Sequence, residues 1–208
     1  MLLYGRQDSH YTRLVRVLAA ELGIDLPMHP VHGLMRQDPA NFGGHPALRL
    51  PVLRIGEDGI YGSLNICRVI ARAAGREADV AWPQDSCDPL LLNAHELVAN
   101  AMAMHLELVM HEVVDRRPPD ITSTKRHAGL VGSLQWLDER LAAIRASLPP
   151  GCVSVFEVSL FCMLEHLPFR GHIDVADFAA LANFVREFGA RPSALATPCR
   201  SEGAVARA

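Results

Sequence analysis

Ser9, Pro51 and Ser63 stand at the ends of expected strands and helices, and each offers a way to hold a small acidic molecule. Ser9 lies in the turn between the first expected strand and the first helix. A hydroxyl beside the positive end of a helix stabilises an anion, so a bound thiol can be kept there as thiolate. Each unit of pKa lowering takes about 1.4 kcal/mol, and one hydroxyl bond plus the helix end supplies roughly one to two units. The other reading of Ser9 is an N-cap and nothing more. Positions 9–12 read Ser-His-Tyr-Thr without a cysteine, which excludes dithiol redox chemistry at that turn. His10 and Tyr11 follow directly; His10 can assist a thiolate by hydrogen bond or charge, or face solvent in the first helical turn. Tyr4 reads as a core aromatic.

Pro51 opens an expected strand within HPALRLPVL. A cis Leu50–Pro51 bond would turn the neighbouring backbone N–H and C=O outward, able to pair with the backbone of a bound peptide, whereas a trans proline would open an edge strand; the residue types leave both open. Ser63 begins the next helix, and its hydroxyl with the first free N–H groups can bind a carboxylate or serve as a bare N-cap. Arg49, and Arg36 or His32 in the preceding loop, can reach a second carboxylate or be ordinary surface charges. Met102, Met104, His105, Met110 and His111 crowd one long helix without sharing a face or a carboxylate at ligand spacing, so no metal is expected and a Met-rich pocket wall is.

The elements that must position these residues follow from periodicity and punctuation. Met1–Tyr4 is a short strand. Leu14, Val15, Val17, Leu18 and Leu22 follow helical spacing, and Gly23 ends that helix as a C′ residue. Residues 24–31 form a weak strand broken by Pro27 and Pro30, and residues 32–46 an irregular loop. A hairpin over Pro51–Tyr61 with its turn at 56–59 precedes a helix from Ser63 to Ala74. Residues 76–87 look like a linker, after which strand signals vanish. Asp88-Pro89 opens a long helix to about Val114, residues 122–147 form a second, Ser154–Glu157 is a capping box for a third reaching about His166, and Asp174 caps a fourth. The expected organisation is an α/β domain over 1–75, a linker over 76–87, an all-α domain over 88–197 and a disordered tail over 198–208.

Bulk composition narrows the class. The 208 residues are 50% hydrophobic with a net charge of −3, enough apolar content for packed cores and without the basic footprint of a nucleic-acid binder. Arg68, Arg72 and Arg76 repeat at i, i+4 and i+8, which reads as a solvated helix face. The five cysteines lack metal-ligand spacing and read as reduced thiols of a cytoplasmic protein. The start is too short in apolar residues for a signal peptide, and no membrane segment is expected.

In this order the segments resemble the cytosolic glutathione transferases, in particular the bacterial, serine-type, theta-like and zeta-like members. HPALRLPVL resembles their NPxGKVPxL segment, GSLNICRVIA their (E/D/Q)SxAIxxYLA segment, SHYTRLVRV their serine-bearing first helix, SVFE their helix-six box and ARPSALAT their C-terminal RPS signature. The resemblance spans essentially the whole chain. It implies a thioredoxin-like N-terminal domain followed by an all-helical domain, glutathione as co-substrate, a small hydrophobic electrophile as second substrate, a role in detoxification and a homodimer. It implies Ser9 as the thiol-activating hydroxyl, the Leu50 backbone beside Pro51 as partner of the cysteinyl part, and Ser63 as holder of the γ-glutamyl carboxylate, with Arg49 and Gly62 beside them. His10 falls at or next to the cysteine of beta-class members, so covalent chemistry of that kind is not expected. Gly62 stands where the pattern has an acidic or amide residue, and Asn65 where it has a small one. Losing one charge-assisted hydrogen bond costs about 1.5–3 kcal/mol, roughly ten-fold to over a hundred-fold in affinity. A non-catalytic binding member, or a glutathione-dependent isomerase or dehalogenase, shares the same motifs.

Overall fold

Four short strands carry the N-terminal half, and the two central ones bury Leu3, Val52 and Leu53. The computed structural model describes residues 1–169 and 173–199. Strand β1 (Leu2–Gly5) lies between β2 (Met28–Pro30), which is parallel to it, and β3 (Val52–Ile55), which is antiparallel; β4 (Asp58–Tyr61) pairs antiparallel with β3, giving the order β2-β1-β3-β4. Leu3 and Leu53 face each other in register and are both fully buried. The hairpin turn shortens to Gly56-Glu57, because Gly56 supplies the positive φ of 61° that a two-residue turn requires.

Helix α1 (His10–Glu21) buries Leu14, Val15, Val17 and Leu18, and α2 (Ser63–Ala73) buries Ile66, Cys67, Ile70 and Ala71. Both end alike. Gly23 and Gly75 adopt φ of 68°, and the residue after each donates its N–H back into the last turn, Ile24 to Ala19 O and Arg76 to Ala71 O. This is the Schellman arrangement, which satisfies carbonyls that would otherwise lack a donor. Arg68 and Arg72 on α2, and Arg76 just past its end, are more engaged than a solvated face. Arg68 and Arg72 converge on Glu77 at 2.8–2.9 Å, holding its carboxyl down to about 2, and Arg76 pairs with Asp79 and donates to Leu22 O.

The chain divides into two compact units, Met1–Val80 with the segment from Arg191, and Ala81–Ala190. Residues 76–87, expected as a linker, contain the division between the units; they form 3-10 turns at Glu77–Asp79 and Pro83–Asp85 and bury Val80 and Trp82. Isolated buried residues of this kind leave no period in a sequence. The helical unit comprises α3 (Pro89–Leu108), which runs on as a π-helical turn Val109–Val114, α4 (Ile121–Ala146), α5 (Val155–Phe169) and α6 (Ala179–Gly189). Asp88 caps α3, and Asp120 with Ser123 forms a reciprocal capping box on α4. Only half of the Ser154–Glu157 box forms: Glu157 N–H donates to Ser154 Oγ, while the Glu157 carboxylate accepts from Arg145 at 2.9 Å. A two-residue strand, Val153–Ser154, leads into α5 where no strand was expected. Asp174 caps a 3-10 turn at Val175–Asp177, and α6 is capped across the bundle by Asp138, which accepts from Leu181 N–H at 3.0 Å.

The stripe Leu130, Leu134, Leu137, Leu141 and Ile144 is buried as its spacing predicts. Helix α3 with its π turn is long and apolar enough to cross a bilayer by length and composition, at mean hydropathy 1.2; in the unit it packs against α4 and α5 through Leu91, Val98, Met102 and Leu108. The last helix, α7 (Pro192–Ala196), packs on α1: Arg13 Nε donates to Thr197 O at 2.7 Å, and Glu21 accepts from Arg191 and Ser193. The tail expected from 198 lies, from residue 200 onward, outside the described residues. Cys67 and Cys162 are buried thiols outside any disulfide, Cys87 is exposed, and Cys152 and Cys199 are half-buried.

The helical unit carries an acid-sensitive group. His95 on α3 sits edge-on to Phe156 at 5.7 Å, and burial pushes its pKa from 6.5 down to about 4. The unfolded chain takes up this proton near 6.5 and the folded chain only near 4. Stability from the neutral ring is therefore full above the first value and is drawn down as pH falls toward the second, by up to about 3 kcal/mol. His95→Gln is expected to flatten that part of the profile, so that its urea midpoint falls less than wild type between about pH 7 and about pH 4.5.

Candidate functional site

Strand register gathers the expected site at one edge of the sheet. Tyr4 pairs with Val52 and Val52 with Tyr61, so β1 and β4 end where β3 begins. The turn to Ser9, the Leu50–Pro51 bond and the Gly62-Ser63 step all lie at that edge. Helices α1 and α2 start there as well, and their N-termini are tied together by Ser63 Oγ, which donates to Tyr11 O at 3.1 Å. Two helix starts at one place concentrate free N–H groups and positive potential.

The turn bearing Ser9 is closed by a chain of bonds. Ser9 N–H donates to Arg6 O at 3.3 Å, Arg6 N–H donates to Thr12 Oγ1 at 3.3 Å, and Thr12 N–H donates to Ser9 Oγ at 3.3 Å. Ser9 is thus the N-cap of α1, with β-region φ and ψ of −95° and 122°. Capping uses a lone pair of the hydroxyl and leaves its proton to donate to an anion, so the two readings of Ser9 are compatible. Thr12 is fully buried against Gly5, where an added Cβ would lie 2.4 Å from Thr12 Cγ2. Arg6 and Asp8 form a two-pronged ion pair, Nε to Oδ1 and Nη2 to Oδ2, both at 2.8 Å, with side chains 9% and 7% exposed. Gly5, Arg6, Asp8 and Thr12 were not expected as site residues. The signal was available only as an Arg-x-Asp step directly before a capping serine, which reads equally well as a polar turn.

His10 is buried at the first position of α1, its ring 4.4 Å from that of half-buried Tyr11, and so does not face solvent. Tyr4 is half-buried against Gly43 and His29.

At the second segment the Leu50–Pro51 bond is cis, Pro51 is buried and Leu50 half-buried. The approach to it is strained at Leu48, whose φ of 54° lies in the left-handed region. His45 Nδ1 accepts from Ala47 N–H at 3.0 Å, and the ring lies tilted against Tyr61 with centroids 4.3 Å apart. Burial and then the Arg49 charge lower the His45 pKa. Arg49 is exposed, as are His32 and Arg36, and Arg36 is engaged with Asn41 Oδ1 at 2.8 Å.

In the third segment the helix begins at Ser63 as expected, but the cap is its neighbour. Gly62, not Ser63, is the N-cap of α2, at φ 85° and ψ 130°, a conformation open to glycine and strained for other residues. Ser63 is the first helical residue, buried, and the bond to Tyr11 uses its hydroxyl proton. A carboxylate at this helix start would therefore be held by the first-turn N–H groups of Ser63, Leu64 and Asn65, which no side chain caps among the described residues, with Ser63 orienting the turn. Asn65 donates to Tyr61 O at 3.0 Å.

On the Met-rich helix, fully buried His105 is hydrogen bonded to His166 on α5, Nε2 to Nδ1 at 2.8 Å. Among the described residues no group of three or more His, Cys, Asp or Glu is arranged to hold a metal ion.

Residues 3–78 match the family described as glutathione S-transferase, N-terminal domain. Among solved structures, the chain is similar to a glutathione S-transferase from Methylobacillus flagellatus with glutathione bound, at 23% identity and TM-score 0.74, over 96% of this chain and 99% of that one. It is similar to one from Methylobacterium radiotolerans in complex with glutathione sulfonate, at 17% identity and TM-score 0.78, over 100% and 98%. A glutathione transferase family member from Pseudomonas fluorescens with bound glutathione matches at 22% identity and TM-score 0.76, over 96% and 99%. At these identities the likeness is one of fold. No curated protein matches the chain.

Proposed function

We propose that this chain, whose residues 3–78 belong to the glutathione S-transferase N-terminal domain family and whose fold is that of the cytosolic glutathione S-transferases, binds glutathione at the sheet edge and activates its thiol through Ser9. The observation that carries this reading is the convergence of the two helix starts, with Ser9 Oγ held as an acceptor from Thr12 N–H and its proton left to donate. In this reading the glutathione thiol gives its proton to solvent, and the thiolate is stabilised by the Ser9 hydroxyl and the α1 N-terminus. It then attacks a small apolar electrophile, forming the carbon–sulfur bond as the leaving group departs. The cysteinyl backbone pairs with the chain at Leu50, and the γ-glutamyl carboxylate sits on the first turn of α2. The solved relatives with glutathione or glutathione sulfonate bound support the choice of ligand.

Steady-state conjugation of glutathione to an activated aryl halide tests the reaction. Turnover above the solution rate supports it; bound glutathione without turnover on a panel of electrophiles favours the non-catalytic reading, which the bare Gly62 motivates.

Gly62 gives a separate prediction with two opposing readouts. A Cβ there has room, its nearest neighbour being Asn65 Nδ2 at 3.5 Å, but the φ of 85° strains any side chain, at about 1–3 kcal/mol. Gly62→Glu is expected to lower the melting temperature while tightening glutathione by about ten-fold or more. Gly62→Ala is expected to lose the same stability with no gain in affinity, and calorimetric Kd values beside thermal melts separate the two.

A further inference from the structure

The turn before Ser9 holds more charge than a tight turn needs. Arg6 and Asp8 are 8% and 6% exposed overall and face each other through two bonds of 2.8 Å. Burying two charges is costly, and apolar residues of similar volume commonly serve stability as well or better. This pair also brackets the bonded ring that fixes Ser9: Arg6 O accepts from Ser9 N–H, Arg6 N–H donates to Thr12, and Asp8 is the residue directly before Ser9. Arg6 further reaches toward Val31 O at 3.5 Å, at the end of β2. Charges held in a poorly solvated turn act on a neighbouring anion far more strongly than surface charges do.

We infer that the Arg6–Asp8 pair is a positioning and field-setting element for Ser9, holding the hydroxyl at the sheet edge and fixing how readily a thiol bound there gives up its proton. The inference rests on the reading of Ser9 as the hydroxyl that receives the glutathione thiolate. Its signature is one of sign. Removing the Arg6 charge makes the turn more negative by one unit and disfavours the thiolate; removing the Asp8 charge makes it more positive by one unit and favours it. A purely structural role would shift both variants the same way, through loss of the Ser9 geometry.

The test is a pH titration of thiolate ultraviolet absorbance for glutathione bound to the full chain, with binding confirmed by calorimetry. Arg6→Gln is expected to raise the bound thiol pKa and Asp8→Asn to lower it, each on the order of one unit, while Arg6→Lys, which keeps the charge, stays near wild type. Each substitution carries the test by its own sign. Should Arg6→Gln not fold, Asp8→Asn, which leaves Arg6 a neutral acceptor, decides it alone: a downward shift supports the inference, and no shift or an upward one overturns it. Shifts of both variants in one direction, with glutathione still bound, also overturn it. Failure of wild type to bind glutathione is a different result, which overturns the reading of the site and this inference with it.

Discussion

Asp8→Ala is expected to cost the folded chain about 3–5 kcal/mol, the largest stability effect of any single substitution at the sheet edge. It leaves the Arg6 guanidinium buried after the loss of two 2.8 Å bonds, and an uncompensated buried charge is far more damaging than the loss of an exposed pair. Measured against a typical total stability of about 5–15 kcal/mol, this is enough to leave the variant partly unfolded at room temperature. The double variant Arg6→Met/Asp8→Leu removes both charges and is expected to cost much less than Asp8→Ala alone. Urea midpoints for Arg6→Met, Asp8→Leu and the double close the cycle. A double variant as unstable as either single would show that the bonds of the pair, and not the stranded charge, carry the effect, and one as unstable as their sum would show that the two side chains are not coupled.

The largest expected effect on activity is at Ser9, where the cap and the chemistry can be separated. Ser9→Ala removes both and is expected to lose about 0.5–2 kcal/mol of stability. Ser9→Gly keeps a residue suited to the N-cap and is expected to lose only a few tenths of a kcal/mol, yet it lacks the hydroxyl. Both are expected to reduce kcat/KM for glutathione conjugation by about ten-fold to a hundred-fold near neutral pH, the consequence of a thiol pKa raised by roughly one to two units. The deficit should shrink as pH rises past the thiol pKa, because the thiolate then forms without help. Ser9→Thr, which keeps a capping hydroxyl, is expected to retain most of the activity. Unchanged activity in Ser9→Gly would assign the residue to capping alone.

Much of the frame was legible because local physics sets it. The stripe on α1 and the Gly23 ending, the Asp88-Pro89 start of α3, and the leucine stripe of α4 each depend on residues within a few positions of one another. The Ser9 cap was legible for the same reason. What was not legible depends on partners far apart or on single buried residues. The last helix joins α1 through Arg13 with Thr197 and Glu21 with Arg191, contacts 184 and 170 residues apart. Trp82 and Val80 order a segment that has no period. The cis state of Leu50–Pro51 is decided by surroundings, not by the dipeptide.

Within the site, Ser9, Pro51 and Ser63 stand on the elements the sequence predicts, and of the two readings of Ser63 the bare N-cap is the one that fails. The positive φ of Gly62 makes it the cap, and the Ser63 hydroxyl turns inward to Tyr11 O. Arg6 and Asp8 look like solvated turn charges until strand and helix close over them. Gly62 gains a second meaning from the structure: the residue that removes an expected side chain is also the one its backbone geometry favours.

Calorimetric titration of the full chain with glutathione tests the central claim most directly. Saturable one-site binding at up to about millimolar glutathione is the predicted result, weak for the want of one charge-assisted hydrogen bond at Gly62, together with a thermal shift that grows with ligand concentration. No heat and no thermal shift at about millimolar glutathione would contradict it, and would leave the sheet edge without the ligand for which its two helix starts are read.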